Sequence, residues 1–233
     1  MSSVAVIIVA GGSGSRMLAR QPKQFLPIGG RPILMHTVER FAEALDGCRI
    51  VVVLPQSHIA YWRELCREYG FDRPHEICEG GQNRFESVRR GLAHIGDAEI
   101  VAVHDGVRPL VSRDIILRTV EDARRFGAVI PVVPPVDSLR EIDDTSSRIV
   151  DRSRFRIVQT PQTFRAAVIR EAYEHPYDER FTDDASVVEA CGHEIHLCEG
   201  AYSNIKITTP ADMVTAEALL RSDRSSDPSE NKK

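Results

Sequence analysis

Val4-Ala5-Val6-Ile7-Ile8-Val9-Ala10-Gly11-Gly12-Ser13-Gly14-Ser15-Arg16 is the stretch on which the reading of the fold turns. From Val4 to Ala10 the chain is an unbroken, largely β-branched apolar run. A strand that is apolar on both of its alternating faces belongs inside a parallel sheet covered on both sides. Gly11, Gly12 and Gly14 follow as a glycine-rich loop, where missing Cβ atoms let backbone N–H groups come close to an anion. Arg16 stands in that loop and Pro22-Lys23-Gln24 comes soon after, so two cations lie beside it. The loop matches neither standard phosphate motif. Met17 stands where a dinucleotide fingerprint needs its third glycine, and the Gly-Lys-Ser/Thr of a Walker loop is absent.

Outward from this stretch, periodicity predicts helices over 32–45, 59–69, 84–95 and 114–126, and strands over 50–54, 76–78, 100–104 and 128–133. Strands and helices alternate and the strands are apolar throughout, which is the pattern of a doubly wound α/β sheet. Ligands on such sheets sit beyond the carboxyl ends of the strands. The glycine loop and Asp105 both fall there. Residues 134–159 break the rhythm with two alternating pieces around a polar tip at 143–147, and read as a protruding β-hairpin arm. Helices are expected over 165–174 and 184–191, and strands over 195–198 and 204–207. Thr209-Pro210-Ala211-Asp212 is a capping-box-like start for a helix running to about residue 221. Residues 222–233 are polar and aperiodic and read as a disordered tail beyond a single domain of 1–221.

Composition narrows the function. A chain of 233 residues with 42% hydrophobic content can bury a full core. A formal net charge of −4 provides no global basic field for nucleic acid, so any anion site must be a local cluster of Lys and Arg. The cysteines, five in number, form no C-x-x-C pair and read as reduced thiols in a cytoplasm. His193 and His196 near Cys191 and Cys198 lack zinc-ligand spacing and read as ordinary strand residues. No run is long enough to span a bilayer, and the N-terminus lacks the basic segment of a signal peptide.

Two further clusters carry chemistry. His104-Asp105-Gly106-Val107-Arg108-Pro109 puts a carboxylate and a guanidinium at a strand end. The carboxylate suits a ribose hydroxyl or a Mg²⁺ ion, and the guanidinium fork suits a phosphate. Asn204-Ile205-Lys206 places a second lysine just ahead of the capped helix.

Taken in order with Asp151-Arg152, Thr160-Pro161-Gln162 and Thr182-Asp183, these motifs make residues 4–220 resemble the 2-C-methyl-D-erythritol 4-phosphate cytidylyltransferases of the non-mevalonate isoprenoid pathway. The resemblance implies a Rossmann-like nucleotidyltransferase fold, a homodimer built through the arm, and Mg²⁺-dependent transfer of CMP from CTP to a sugar-alcohol phosphate. By position it implies that Ala10, Gly11, Gly12 and Gly14 line the nucleotide loop and that Arg16, Lys23 and Lys206 surround the triphosphate. Gly81 and Ser87 would read the cytosine edge. Asp105 would bind ribose, the acceptor and, secondarily, the metal, which is held mainly by the CTP phosphates. Arg108, Ser138, Arg152 and Thr160 would hold the acceptor, with Ser138 and Arg152 coming from the partner's arm. Gln82 stands where the family often has an acidic residue, Ser138 replaces the usual Thr, and Arg140 replaces a common Lys. Ribitol 5-phosphate cytidylyltransferase, with the same chemistry, is the nearest alternative, and a non-catalytic nucleotide-binding module on the same fold is the other.

Overall fold

The structure, a computed structural model, describes residues 3–12 and 21–225. β1 (Val4–Val9) is followed, among the described residues, by a 3₁₀ turn at Lys23–Phe25 and a small hairpin, β2 (Pro27–Ile28) and β3 (Arg31–Pro32). Then come α1 (Ile33–Ala44), β4 (Arg49–Leu54), α2 (Gln56–Glu68), β5 (Glu76–Glu79), α3 (Arg84–Leu92), β6 (Ile100–Asp105), α4 (Arg113–Phe126) and β7 (Ala128–Val133). The arm holds β8 (Arg140–Ile142) and β9 (Ser147–Ile149). β10 (Ile157–Val158), β11 (Gln162–Arg165), α5 (Ala166–Ala172), α6 (Asp184–Ala190), β12 (His196–Glu199) and α7 (Pro210–Ser225) complete the chain.

β1 sits in the middle of an eight-stranded, mainly parallel sheet, paired with β4 on one side and β6 on the other. Its alternation explains the apolar run. Val6 and Ile8 face a layer built by α1, α2 and α4, while Ala5 and Ile7 face a layer built by α3, α5 and α6. With both faces dry, every position of the strand must be apolar. β5 closes the sheet beyond β4, and β12 runs parallel to β7 at the other edge.

The sequence periodicity does not announce β11. It runs antiparallel between β6 and β7 and pairs with both, Phe164 lying opposite Val101 and Ala128. β10 continues the same antiparallel segment along β7. Residues 204–207 form no strand: Asn204 is fully buried, its Nδ2 donates to the Thr160 carbonyl at 2.9 Å, the Asn204 and Ile205 amides close local turns, and the Ile207 amide reaches across to Val107 O. Buried side-chain hydrogen bonding has replaced a ladder. α7 starts at Pro210 as its cap predicts, with the Asp212 carboxylate accepting from the Thr208 and Thr209 amides at 2.8 and 2.7 Å. It runs to Ser225, past the expected end at 221, and 226–233 lie outside the described residues.

Candidate active site

The carboxyl ends of β1, β4, β5 and β6 open on one cleft of about 330 Å³. Ala10, Gly11, Gly12, Lys23, Gly81, Ser87, Asp105 and Lys206 all line it, so eight of the residues singled out from the sequence converge there. Gly14 and Arg16 lie outside the described residues. The base of the glycine loop is clamped by Gln24, buried within the Pro22-Lys23-Gln24 turn, whose Nε2 donates to the Ala10 carbonyl at 2.7 Å. The ends of β1 and β6 approach closely because residue 106 is glycine: a Cβ there would lie 2.8 Å from the Ala10 Cβ.

Asp105 is the electrostatic centre. Its Oδ2 is 3.1 Å from both Lys206 Nζ and Arg108 Nε. Burial would push the carboxyl up, but the Lys206 ammonium, backed by Arg84 and Arg108, holds it well below the usual carboxylate range. It is therefore an anion at any working pH. The two partners differ in exposure. The Lys206 side chain is 44% exposed, while that of Arg108 is 10% exposed and also donates to the Asn204 carbonyl at 2.8 Å. Lys206 is thus the cation that can turn to a ligand, and Arg108 the one that fixes the carboxylate.

Behind Asp105, the Thr160 hydroxyl accepts from the Asp105 amide at 3.1 Å and lies 3.0 Å from His104 Nδ1, to which it donates because the other ring nitrogen faces a carbonyl and must hold the ring proton. His104 then carries its own proton on Nε2, donated to the Arg108 carbonyl at 3.1 Å. Burial pushes this imidazole down to about 4, so it is neutral and structural. Thr160, expected to hold acceptor, has its hydroxyl bonded inside the fold to the Asp105 amide and to His104.

At the far wall, the β5–α3 turn folds on itself. The Gly81 amide donates to Ser87 Oγ at 3.1 Å, and Ser87 Oγ donates to the Asn83 carbonyl at 2.8 Å. The Ser87 proton therefore points away from any base, and the Gly81 carbonyl, an acceptor, takes no hydrogen bond among the described residues. Only glycine fits at 81, since a Cβ would lie 2.2 Å from the Glu86 Cβ. Asn83 caps α3 by accepting from the Glu86 amide at 2.8 Å. The next residue, Arg84, lines the cleft and carries a charge that sequence reasoning passed over, because one arginine at a helix start has no distinguishing pattern.

Ser138 and Arg152 sit on the arm, and no residue of 134–159 lines the cleft of this chain. Arg152 instead donates to the Val136 carbonyl within the arm. Among the described residues no group of three or more His, Cys, Asp or Glu is placed to hold a metal ion, and no helix is long and apolar enough to cross a membrane.

The comparisons with known proteins converge on one family. Residues 4–222 match the family model described as IspD: 2-C-methyl-D-erythritol 4-phosphate cytidylyltransferase. The protein of that name from Porphyromonas gingivalis is 52% identical over 217 residues, covering 93% of this chain and 97% of its own length. The one from Phocaeicola vulgatus is 49% identical over 215 residues, covering 92% and 98%. Among solved structures, the 4-diphosphocytidyl-2C-methyl-D-erythritol synthase of Anaerococcus prevotii superposes with a TM-score of 0.80 at 29% identity, covering 94% of this chain and 96% of its own. The helix-flanked, mainly parallel sheet is therefore that of a Rossmann-like nucleotidyltransferase, and the chain belongs to the 2-C-methyl-D-erythritol 4-phosphate cytidylyltransferase family.

Proposed function

We propose that the cleft binds CTP and that the chain transfers its CMP unit to 2-C-methyl-D-erythritol 4-phosphate, releasing pyrophosphate. The observation that carries this reading is the convergence of Lys23, Lys206, Asp105 and the unsubstituted backbone of Gly11, Gly12 and Gly81 in one cleft. The glycine loop and the lysines take the triphosphate, and Asp105 accepts from a ribose hydroxyl. The Gly81 carbonyl, an acceptor, suits the exocyclic amino group of cytosine and repels the carbonyl that uracil has there.

A phosphate oxygen of the acceptor attacks the α-phosphorus in line, the bond to the bridging oxygen breaks, and pyrophosphate leaves with that electron pair. The attacking oxygen is already anionic, so no proton must be removed. Catalysis then rests on positioning and charge neutralisation. Lys23, Lys206 and, by position, Arg16 stabilise charge that grows on the leaving phosphates. Asp105, the only carboxylate among the described lining residues, fits a Mg²⁺ held chiefly by substrate phosphates rather than a protein cage. That ion would neutralise phosphate charge.

Ser138 and Arg152 serve the acceptor from the arm of a second subunit in a homodimer. The free cysteines, none paired, suit a reducing cytoplasm. The test is pyrophosphate release from CTP with methylerythritol phosphate, with ribitol 5-phosphate and with no acceptor. Release with the first alone is expected. Equal release with ribitol 5-phosphate would reassign the acceptor, and none with any would leave a binding module.

A further inference from the structure

One carboxylate beside the cleft has no part in the reaction as described. Asp184, the first residue of α6, is fully buried. Its Oδ1 and Oδ2 accept from Arg84 Nη1 and Nη2 at 2.8 and 2.5 Å, and Oδ1 also accepts from the Tyr173 hydroxyl at 2.6 Å. The start of α6 is itself tied to the sheet: buried Gln162, on β11, donates to Asp183 Oδ2 at 2.8 Å and accepts from the Ala185 amide at 2.9 Å.

Stability alone does not account for this arrangement. Replacing a buried ion pair by apolar residues of similar volume is often neutral or stabilising. What apolar residues cannot do is hold a guanidinium flat against a fixed plane. The bidentate fork uses one N–H of each terminal nitrogen and leaves Nε–H and the outer hydrogens of Nη1 and Nη2. The Arg84 side chain is 28% exposed, and the residue lines the cleft.

The place of Arg84 indicates which part of the ligand it meets. It follows the Gly80–Asn83 turn directly, whereas the flexible cation Lys23 stands beside Gly12 in the glycine loop. A guanidinium fork suits phosphate and neutral oxygens alike, so it is the position of Arg84, at the wall that carries Gly81 and Ser87, that points to the base or sugar. We propose that Arg84 binds the nucleoside half of CTP, donating to its carbonyl or sugar oxygens, and that Asp184 and Tyr173 are positioning residues that lock its guanidinium. The proposal rests on the cleft being the CTP site.

Calorimetric titration with CTP, CMP and inorganic tripolyphosphate tests it in Arg84→Lys, Asp184→Asn, the double variant and Lys23→Ala. Arg84→Lys keeps the charge opposite Asp184 and so keeps the fold, which the thermal midpoint verifies. Its Kd for CTP and for CMP should rise by roughly tenfold to a hundredfold, the range for a charge-assisted hydrogen bond. Tripolyphosphate binding should stay unchanged. Asp184→Asn should weaken CTP binding similarly, and the double variant should be no worse than either single, because Asp184 acts through Arg84. Additive losses would show Asp184 to be merely structural, and a parallel loss of tripolyphosphate would move Arg84 to the phosphates. If Lys23→Ala weakens CTP binding while a folded Arg84→Lys protein binds normally, this proposal alone is overturned. If Lys23→Ala leaves CTP binding intact, the reading of the cleft fails first.

Discussion

Asp105 has two cationic partners at the same distance, and they do different things. Removing Lys206 leaves the buried carboxylate compensated by Arg108. Removing Arg108 leaves it to an exposed lysine and strips the Asn204 carbonyl of its donor. Lys206→Ala should therefore lower kcat by on the order of a hundredfold or more with little change in thermal midpoint, as for loss of a donor to developing charge. Arg108→Ala should cost about 1–3 kcal/mol of stability, read by urea unfolding. An unfolded Lys206→Ala protein, or an equally stable Arg108→Ala protein, would reverse the assignment. His104 makes a second residue-scale prediction. Its pKa is ordinary at 6.5 in the unfolded chain and about 4 in the fold, so the unfolded chain binds the extra proton between those values. Stability from this group is fully present above pH 6.5 and is lost as pH falls toward 4, by up to about 3 kcal/mol. His104→Gln should flatten that part of the stability–pH curve, and a slope identical to the parent's would remove His104 as its source.

Among the elements, the β5–α3 turn is the most tightly determined. Glu86 Oε2 accepts from the Gln82 amide at 2.9 Å, its own amide donates to Asn83 Oδ1, and its Cβ occupies the space any side chain at 81 would need. Gly81→Ala must displace Glu86 and open the turn. The expected result is a KM for CTP raised by roughly tenfold, with overpacking costing about 1–3 kcal/mol of stability. An alanine variant with unchanged KM would mean that the turn does not meet the base. The irregular 204–207 segment shows the opposite economy. Freed from a ladder, it spends its polar groups on Thr160 and Arg108, which places Lys206 at Asp105.

At the scale of the whole molecule the arm is the anomaly. Val136, Ile142 and Ile149 are 65%, 77% and 72% exposed, although each is an apolar residue on an element with no core of its own. Exposed apolar surface of that kind is what a contact with another molecule would use. A second copy related by a two-fold axis would cover both arms at once and form two composite sites, each with one chain's cleft and the other's arm. Arg152→Ala should raise KM for the sugar phosphate and spare CTP binding. Mixing it with Lys23→Ala should restore part of the activity, since one site in a mixed dimer keeps both residues. A mixture as inactive as its parents, after subunit exchange is demonstrated, would return the arm to its own chain.

What could be determined from the sequence by itself was whatever has a short period or a local cap. Lys23, Asp105 and Lys206, spread along the chain, are read together only through the resemblance of the ordered motifs to a family, whereas the buried run of β1, the amphipathic helices, the arm with its polar tip and the cap at Thr209–Asp212 are of the local kind. Each is dictated by neighbours a few residues away, so each leaves its mark on the spacing of residue types. Only the tertiary structure could decide the insertion of β11 between β6 and β7, the loss of the expected strand at 204–207, the inward turn of the Thr160 hydroxyl and the pairing of Arg84 with Asp184, whose separation is 100 residues. These depend on which buried polar groups meet once the sheet has closed. Such groups must find partners wherever the fold brings them, and a partner at that separation imposes no periodicity on the chain.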